Sequence, residues 1–395
     1  MIVLEDNVLQ ENLLKLNNPR RLVPVNRTFY PSRKNMGPCS PLFGKVSIFV
    51  AFVSKSMKGH YRVAQQSLEC YLKGVNYTVM MVDLDKDPRV QEKCPSNKQV
   101  DFLFYVDYFR GHCHVVITLP ILFPFAVENG SLQLFFKKHC AASAYLPDTD
   151  WMLVLDADTG VVNPNHCVEE WIDDRVDIIF YERFFNWEIA SGNYLVRNSE
   201  FGRNFLKSWG EWEFIQPTNW NGGDNGVLQL HILKYVLPGA SQEAKNCNEI
   251  WHTAKDYDTY MAYVSCVKQA LGATRLWPGK VRIYRRAHGW VRDGFITSDK
   301  WCDADFMLHG WKLQTVGQDG WESPFKQNLD PMKCGTGLSG WNWIPEKRVN
   351  ASVIRQELAA LERSAGKEHP KPARDLIYLT MPDVGICYPN CDKDT

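Results

Sequence analysis

The sequence predicts an α/β fold in which a mainly parallel sheet is covered by helices on both faces. Two apolar runs of strand length, Val46–Val53 and Trp151–Leu155, read as buried strands, and Tyr77–Val82 reads as a further strand between them. Segments with helical character precede or separate them at Tyr61–Leu72 and Phe135–Tyr145. This alternation of strands and helices is typical of a parallel sheet.

The alternation continues after residue 155. Ser199 is expected to cap a helix whose aromatic residues recur at helical spacing, from Phe201 to Trp212, and pack in the core. The remaining predicted strands are Phe102–Val106, Asp177–Tyr181, Asn193–Arg197 and Val281–Tyr284. The remaining predicted helices are Leu9–Leu16, Asn165–Trp171 with Asn165 as its N-cap, Val227–Val236 and Arg355–Glu368. We expect an N-terminal extension over 1–44, one α/β domain over 45–320, and a loop-rich C-terminal extension with a surface helix over 321–395.

Composition excludes two broad classes of protein. The chain has 395 residues, of which 45% are hydrophobic, and it has 14 Trp, enough for a sizeable core and unlike a disordered chain. Its 45 basic and 45 acidic residues balance, so no overall basic field points to nucleic acid.

Cysteines and glycosylation sequons favour an oxidising, luminal or extracellular setting. There are 12 Cys, with Cys387 and Cys391 placed for a late disulfide, and the sequence contains four acceptor sequons. The sequons begin at Asn26, Asn76, Asn129 and Asn350. The alternative is that the sequons arise by chance and the cysteines are reduced. The longest apolar run, Val115–Val127, is too short to span a bilayer, and no signal peptide is visible. We therefore expect either that an anchor or signal lies outside this chain or that the protein is cytosolic.

The sharpest chemical feature is a pair of carboxylates at a strand end. The apolar run Trp151–Leu155 leads directly into Asp156 and Asp158. Ligands of open α/β folds bind at the carboxyl edge of the sheet, and two carboxylates there suit Mg²⁺ or Mn²⁺ held together with substrate phosphates. The alternative is a strand end with two solvated acids.

Three later segments add candidate groups. Ser191 and Gly192 let a ligand approach the backbone, or make a tight strand entry. Asp224 follows two glycines at a helix start, as a ligand-facing acid or merely an N-cap. His309 with Lys312, or alternatively His288 near several arginines, offers a metal ligand and a cation, although a lone His is more often structural. Trp187, Trp220 and Trp311 can stack on sugars or pack in the core.

The order of these segments resembles that of GT-A glycosyltransferases, a Rossmann-like class, and in particular the fungal and plant α-galactosyl- and xylosyltransferases. The matching stretches are Trp151–Asp158, Ala190–Ser199, Asp224 and His309–Lys312. More narrowly, residues 45–345 resemble a nematode-expanded family of uncharacterised, glycosyltransferase-like proteins. Two departures are an Asn after Asp224 where the transferases carry Gln or a similar residue, and a compressed His309 segment.

The resemblance implies transfer of a hexose from a nucleotide diphosphate sugar to a carbohydrate or glycoconjugate acceptor, with retention of configuration, in the Golgi. It implies that Asp156, Asp158 and His309 hold Mn²⁺ or Mg²⁺. The donor would contact Asp156, Asp158, Ser191, Gly192, Lys312 and, at the nucleoside, Asp83. Lys312 would offset the charge on the leaving diphosphate, and Asp224 would line the sugar side.

Two other functions fit parts of the sequence. The run from Asp156 to Thr159 also matches the D-x-D-x-T signature of aspartyl-phosphate phosphatases, with Asp156 as nucleophile and Asp158 as general acid. That signature normally ends the first strand of its domain, whereas two or three strands precede it here. The second alternative is a non-catalytic carbohydrate-binding relative that keeps the fold without the chemistry.

Overall fold

The structure, a computed structural model, describes residues 39, 41–53, 60–94, 132–312, 323–335 and 338–368. Several predicted features lie outside these residues: the helix at Leu9–Leu16, the strand at Phe102–Val106, the apolar run Val115–Val127, the sequons at Asn26 and Asn129, and the pair Cys387 and Cys391. Among the described helices, none is both long enough and apolar enough to cross a membrane.

A seven-stranded sheet forms the centre of the described chain, in the order β2-β1-β3-β6-β5-β8-β7. Its strands are β1 (Val46–Phe52), β2 (Thr78–Asp83), β3 (Trp151–Leu155), β5 (Ile178–Tyr181), β6 (Tyr194–Arg197), β7 (Leu276–Trp277) and β8 (Val281–Tyr284). Five strands run in one direction, and only β6 and β7 of this sheet run opposite to them. The predicted α/β fold with a mainly parallel sheet is therefore confirmed.

A smaller three-stranded sheet, of order β4-β10-β9, lies beyond the end of β3. It contains β4 (Thr159–Val161), β9 (Val291–Asp293) and β10 (Met307–His309). In the antiparallel pairing of β10 with β4, His309 lies opposite Thr159. This pairing brings a segment some 150 residues distant in sequence next to the residues that follow β3.

Helices cover both faces of the central sheet. They are α1 (Arg62–Leu72), α2 (Pro88–Lys93), α3 (Leu132–Tyr145), α4 (Glu200–Glu211), α5 (Gly223–Val236), α6 (Ser241–His252) and α7 (Tyr257–Leu271). A further helix, α8 (Ala351–Glu368), packs in a separate small cluster with Phe184 and Cys302. Met152 and Val154 of β3 join the core packed by α3 to α7, whereas Leu153 and Leu155 join the core packed by α1 and later segments. This division explains why β3 reads as an uninterrupted apolar run: both faces are buried.

Local capping explains where two helices begin. Ser199 is the predicted N-cap of α4, and its Oγ accepts a hydrogen bond from the Gly202 N–H at 2.9 Å. The predicted helix start at Asn165 is wrong, because the chain forms only a short 3₁₀ helix, Val168–Trp171, that begins three residues later. The Glu170 carboxylate accepts from the Cys167 N–H at 2.7 Å and so caps that turn instead.

Four disulfides cross-link the described chain, and two of them join segments more than 100 residues apart in sequence. The four bonds are Cys39–Cys167, Cys70–Cys334, Cys94–Cys140 and Cys247–Cys266. The Asn76 and Asn350 sequons are both exposed. These features are compatible with the oxidising, luminal setting that the composition predicts.

Candidate active site

The carboxyl end of β3 delivers the two acids, and Asn193 fixes the turn that carries them. The Asn193 Oδ1 accepts hydrogen bonds from the Asp156 N–H at 3.0 Å and from the Thr159 hydroxyl at 2.9 Å. Its Nδ2 in turn donates to the Tyr181 hydroxyl at 3.1 Å. Because one buried amide holds both ends of the turn, the Asp156 and Asp158 backbones are preorganised at the edge of the sheet.

The pairing of β10 with β4 places His309 against both acids. Its Nε2 lies 3.3 Å from Oδ1 of Asp158 and 3.7 Å from Oδ2 of Asp156. Its Nδ1 lies 2.8 Å from Oδ1 of Asp293, which also accepts from the Arg183 guanidinium at 2.9 Å. A carboxylate on Nδ1 orients the ring and directs Nε2 towards the acid pair.

Electrostatics at this cluster are strongly coupled. Burial lowers the pKa of His309, but the Asp158 and Asp293 carboxylates outweigh burial and raise the pKa to about 10. Burial raises the pKa of Asp158, but His309 and Lys312 outweigh it and hold the pKa well below its usual range. The Lys312 ammonium lies 3.4 Å from Oδ2 of Asp158 and remains partly exposed.

The donor set fits a divalent metal ion. One ligand atom each from Asp156, Asp158 and His309 lies within 4.8 Å of the others. Ligands on adjacent positions of an octahedron with bonds of about 2.1 Å are roughly 3 Å apart, close to the two distances measured from Nε2. A mixed oxygen and imidazole set suits Mn²⁺ or Mg²⁺ with open positions left for substrate oxygens.

A buried lysine that sequence reasoning missed joins the acid pair to Asp224. Lys138, on α3, donates to Oδ1 of Asp156 at 2.8 Å and lies 3.9 Å from Oδ2 of Asp224. Burial lowers the pKa of Lys138, but the two carboxylates outweigh burial and raise it. The sequence feature that could have indicated this role is the pair of lysines, Lys137 and Lys138, inside a largely apolar predicted helix.

His139, also missed, holds Asp224 in place. Its Nε2 lies 3.2 Å from Oδ2 of Asp224, its Nδ1 lies 3.1 Å from the Tyr194 hydroxyl, and its ring stacks on Trp209 at 3.4 Å. Burial lowers the pKa of His139 to about 4, so the ring is neutral at pH 7. Since a carboxylate only accepts, we assign Nε2–H as the donor to Asp224 and the Tyr194 hydroxyl as the donor to Nδ1.

Asp224 is not the N-cap of its helix. The N-cap of α5 is Gly222, at φ 73°, and Asp224 lies in the first turn with its side chain turned to α3. Burial raises the pKa of Asp224, but the hydrogen bond from His139 and the charge of Lys138 outweigh it and lower the pKa. The structure thus rules out simple capping by Asp224 and shows its carboxylate held between α3 and α5 by His139 and Lys138.

Ser191 and Gly192 lie against the same carboxylates. A Cβ added at Gly192 would lie 2.0 Å from Oδ2 of Asp156, so the close approach that glycine permits here is that of the Asp156 side chain. The Ser191 N–H donates to Oδ1 of Asn225 at 3.1 Å, and its carbonyl accepts from Lys138 at 3.5 Å. Both residues therefore border the cluster.

Two predicted candidates lie outside the cluster. Asp83 ends β2 at the same edge of the sheet, but two strand spacings, about 10 Å, separate it from β3. Its carboxylate accepts from the Asp85 N–H at 3.1 Å. His288 is buried, with Nδ1 2.7 Å from the Arg286 carbonyl, and it does not belong to the group formed by the acid pair and His309.

Fold and site together define an α/β protein with a candidate divalent metal centre at the carboxyl edge of its sheet. The family model described as "Protein of unknown function, DUF273" matches residues 68–320, more than half of the chain, and the chain belongs to this family. Asp156, Asp158, Asp224, His309 and Lys312 all lie within the matched residues.

No curated protein matches the sequence. Among solved structures, one similar chain is described as "crystal structure of a glycosyltransferase involved in the glycosylation of the major capsid of PBCV-1". The identity is 13% and the TM-score 0.38, over 67% of this chain and 93% of that chain. A likeness at this level carries no argument about function.

Proposed function

We propose that this protein is a metal-dependent glycosyltransferase of the GT-A class, which moves a hexose from a nucleotide diphosphate sugar to an acceptor hydroxyl. The observation that carries the proposal is the convergence of Asp156, Asp158 and His309 within 4.8 Å, beside the Lys312 ammonium. Two acids, an imidazole and a cation suit a metal-bound diphosphate at the carboxyl edge of a parallel sheet.

Asp156, Asp158 and His309 would hold the metal ion, and Asp293 and Arg183 would keep His309 oriented. A bound Mn²⁺ or Mg²⁺ supplies a Lewis acid that stabilises negative charge on the diphosphate. The Lys312 ammonium, partly exposed beside Asp158, is placed to stabilise the charge that grows on the departing diphosphate.

The donor sugar would lie over the buried Lys138–Asp224 pair, on the side open to the acid pair. Ser191 and Gly192 would form the wall behind it, and Asp83, farther along the same edge, would serve the nucleoside. Asp224 accepts from His139, its pKa is lowered, and it is therefore a poor base for an acceptor hydroxyl. A weak base at this position favours retention of configuration, in which the leaving diphosphate itself takes the acceptor proton.

The setting belongs to the same proposal. Four disulfides and exposed sequons support a secretory-pathway lumen, and we propose the Golgi, with a carbohydrate or glycoconjugate as acceptor. The catalytic domain would span 45–320, and residues 321–395 would form a C-terminal extension on it.

The test is metal-dependent nucleotide-sugar binding and turnover in the full chain. Thermal shift with a panel of nucleotide diphosphate sugars, with and without Mn²⁺, identifies the donor, because a ligand that binds the native state raises its melting temperature. Asp158→Asn is then expected to lower Mn²⁺-dependent turnover of that donor by at least about a thousandfold, with an unchanged fold.

The matched control is Asp174→Asn, which makes the same change at an exposed carboxylate in the loop before β5. It should behave as wild type. If no nucleotide sugar stabilises the protein in Mn²⁺, or if Asp158→Asn turns over at the wild-type rate, the proposal is wrong. Metal-dependent binding without turnover would indicate the non-catalytic relative, and release of phosphate from an aryl phosphate without a sugar donor would indicate the phosphatase.

A further inference from the structure

The loop that leads into Asp224 is rigidly held and presents an exposed tryptophan. On one side of Trp220, the Asn219 Nδ2 donates to the carbonyls of Trp251 and Ala254 at 2.7 and 2.9 Å. On the other side, the Asn221 Oδ1 accepts from the Gly223 N–H at 2.9 Å, and its carbonyl accepts from the Trp251 indole at 2.9 Å. A loop fixed on both sides holds Trp220 in a defined position instead of letting it fold back into the core.

Trp220 differs in burial from the other two tryptophans considered for sugar stacking. Trp187 and Trp311 are 2% and 0% exposed, so both are core residues, whereas Trp220 is 44% exposed. The inner part of its ring packs on two tyrosines of α7, with ring centroids 5.9 Å from Tyr257 and 5.2 Å from Tyr260. The three rings form an aromatic platform in which the planes of Tyr257 and Tyr260 are inclined to the indole by 75° and 53°. Tyr260 is buried, and Trp220 forms the exposed face of the platform.

The aromatic platform is continuous with the Asp224 side of the site. A Cβ added at Gly222 or Gly226 would lie 2.4 Å or 3.2 Å from the Tyr260 ring, so this ring packs on the first turn of α5, which carries Asp224. The Tyr260 hydroxyl donates to the buried carboxylate of Glu188. The order from the metal cluster outwards is thus Lys138, then Asp224, then Tyr260 with Glu188, then Trp220.

We infer that the aromatic platform is the acceptor subsite, in which the exposed indole of Trp220 stacks on a neutral pyranose ring and Tyr257 and Tyr260 support the indole from behind. The C–H face of a pyranose is apolar and packs well on a flat indole, while its hydroxyls need polar partners at the rim. This inference rests on the proposed transferase function, since it assigns the sugar to the acceptor side of that reaction.

Charge and position decide between the possible occupants. The buried carboxylates next to the platform, Glu188 and Asp224, each have a cation beside them, Arg183 and Lys138, so these groups leave no surplus positive charge to hold a phosphate or another anion. The donor sugar is tied to the diphosphate and so belongs on the Lys138 side of Asp224. A sugar that arrives from solvent on the outer side of Asp224 is the acceptor.

The experiment uses the full chain and does not depend on knowing the natural acceptor. Saturation-transfer NMR with lactose, maltose and cellobiose at millimolar concentration should show transfer from aromatic protein protons to ring C–H protons of at least one disaccharide. Trp220→Ala should weaken that binding roughly tenfold, and Trp220→Phe should restore most of it. Phe214→Ala is the matched control, because Phe214 is an aromatic residue with a similar exposed fraction, 43%, off the platform.

The outcomes separate this inference from the proposed function. Loss of disaccharide binding in Trp220→Ala, with Mn²⁺-dependent nucleotide-sugar binding retained, supports the acceptor subsite. No saturation transfer to any of the three disaccharides in wild type, or equal transfer in wild type and Trp220→Ala, overturns it. Failure of nucleotide-sugar binding in wild type would instead remove the transferase proposal and leave the platform as a carbohydrate-binding surface.

Discussion

Two histidines of the candidate site, the partly exposed His309 and the buried His139, each contact a carboxylate, yet they are held in opposite protonation states. His309 lies between Asp158 and Asp293; burial lowers its pKa, but these carboxylates raise it to about 10. His139 contacts Asp224 beside the Lys138 ammonium, and burial lowers its pKa to about 4. At neutral pH the first ring is a cation and the second is neutral.

The contrast teaches that the surrounding charges, and not burial alone, decide what each ring can do. His309 faces several carboxylates, which stabilise a proton on its Nε2. A divalent cation bound by the same carboxylates can take the place of that proton. His139 is stacked on Trp209, and burial together with the charge of Lys138 outweighs the Asp224 and Asp156 carboxylates and lowers its pKa, so it acts as a fixed neutral donor. The first is a ligand position, and the second is a positioning group.

The most direct test of these two roles is to make the same substitution at both histidines and compare the Mn²⁺ affinities. His309→Gln removes the imidazole ligand and should weaken Mn²⁺ binding by roughly tenfold to a hundredfold. His139→Gln keeps a neutral donor near Asp224 and should change Mn²⁺ affinity by less than about threefold. Isothermal titration with Mn²⁺ on the three proteins measures both. Equal losses in the two variants would show that the rings do not have separate roles.

The pH dependence of stability should differ in sign between the two histidines. In the metal-free protein, the folded-state pKa of His309 is raised, so its stabilisation is present below pH 6.5 and is lost as pH rises towards 10. The folded-state pKa of His139 is lowered, so its stabilisation is present above pH 6.5 and is lost as pH falls towards 4. For His139 the full change is about 3 kcal/mol.

Melting temperatures in EDTA from pH 4 to 10 test this dependence. His309→Gln should flatten the loss of stability on the alkaline side, and His139→Gln should flatten it on the acid side. Identical profiles for wild type and both variants would contradict the assignment of the two protonation states. The variants serve as controls for each other, because each alters one side of the profile and leaves the other unchanged.

The sequence predicts β1 and β3 well because both strands are buried on both faces. Trp151–Leu155 is found with its predicted bounds, and Val46–Val53 differs by one residue at its end. Asp156 and Asp158 could be placed at the sheet edge because they follow such a strand directly. The helix predicted from Asn165 failed because local capping by Glu170 competes with it, and periodicity does not register that contact.

The rest of the site depends on contacts between distant segments. His309 reaches the acids only through the pairing of β10 with β4, and its role could be predicted only from the order of motifs. Lys138 and His139 were missed because they lie in a helix that reads as apolar and packed. Only the placement of α3 beneath the end of β3 shows that their polar atoms meet Asp156 and Asp224.

The smallest expected effect comes from the Tyr194 hydroxyl, which we assign as the donor to Nδ1 of the neutral His139 ring. Tyr194→Phe removes this donor. Because the hydrogen bond to Nδ1 favours the neutral ring, its loss should raise the pKa of His139, and the protein should lose about 1 kcal/mol of stability. Urea unfolding between pH 4.5 and 7.5 should then show a smaller acid-side loss than in wild type. Tyr263→Phe is the matched control: its hydroxyl, equally buried, donates to the Gly226 carbonyl at 2.7 Å, so stability should fall without a change in pH dependence. If both variants reduce the acid-side loss of stability equally, the Tyr194 hydroxyl does not influence the pKa of His139. Burial against Trp209 is then sufficient to keep that ring neutral.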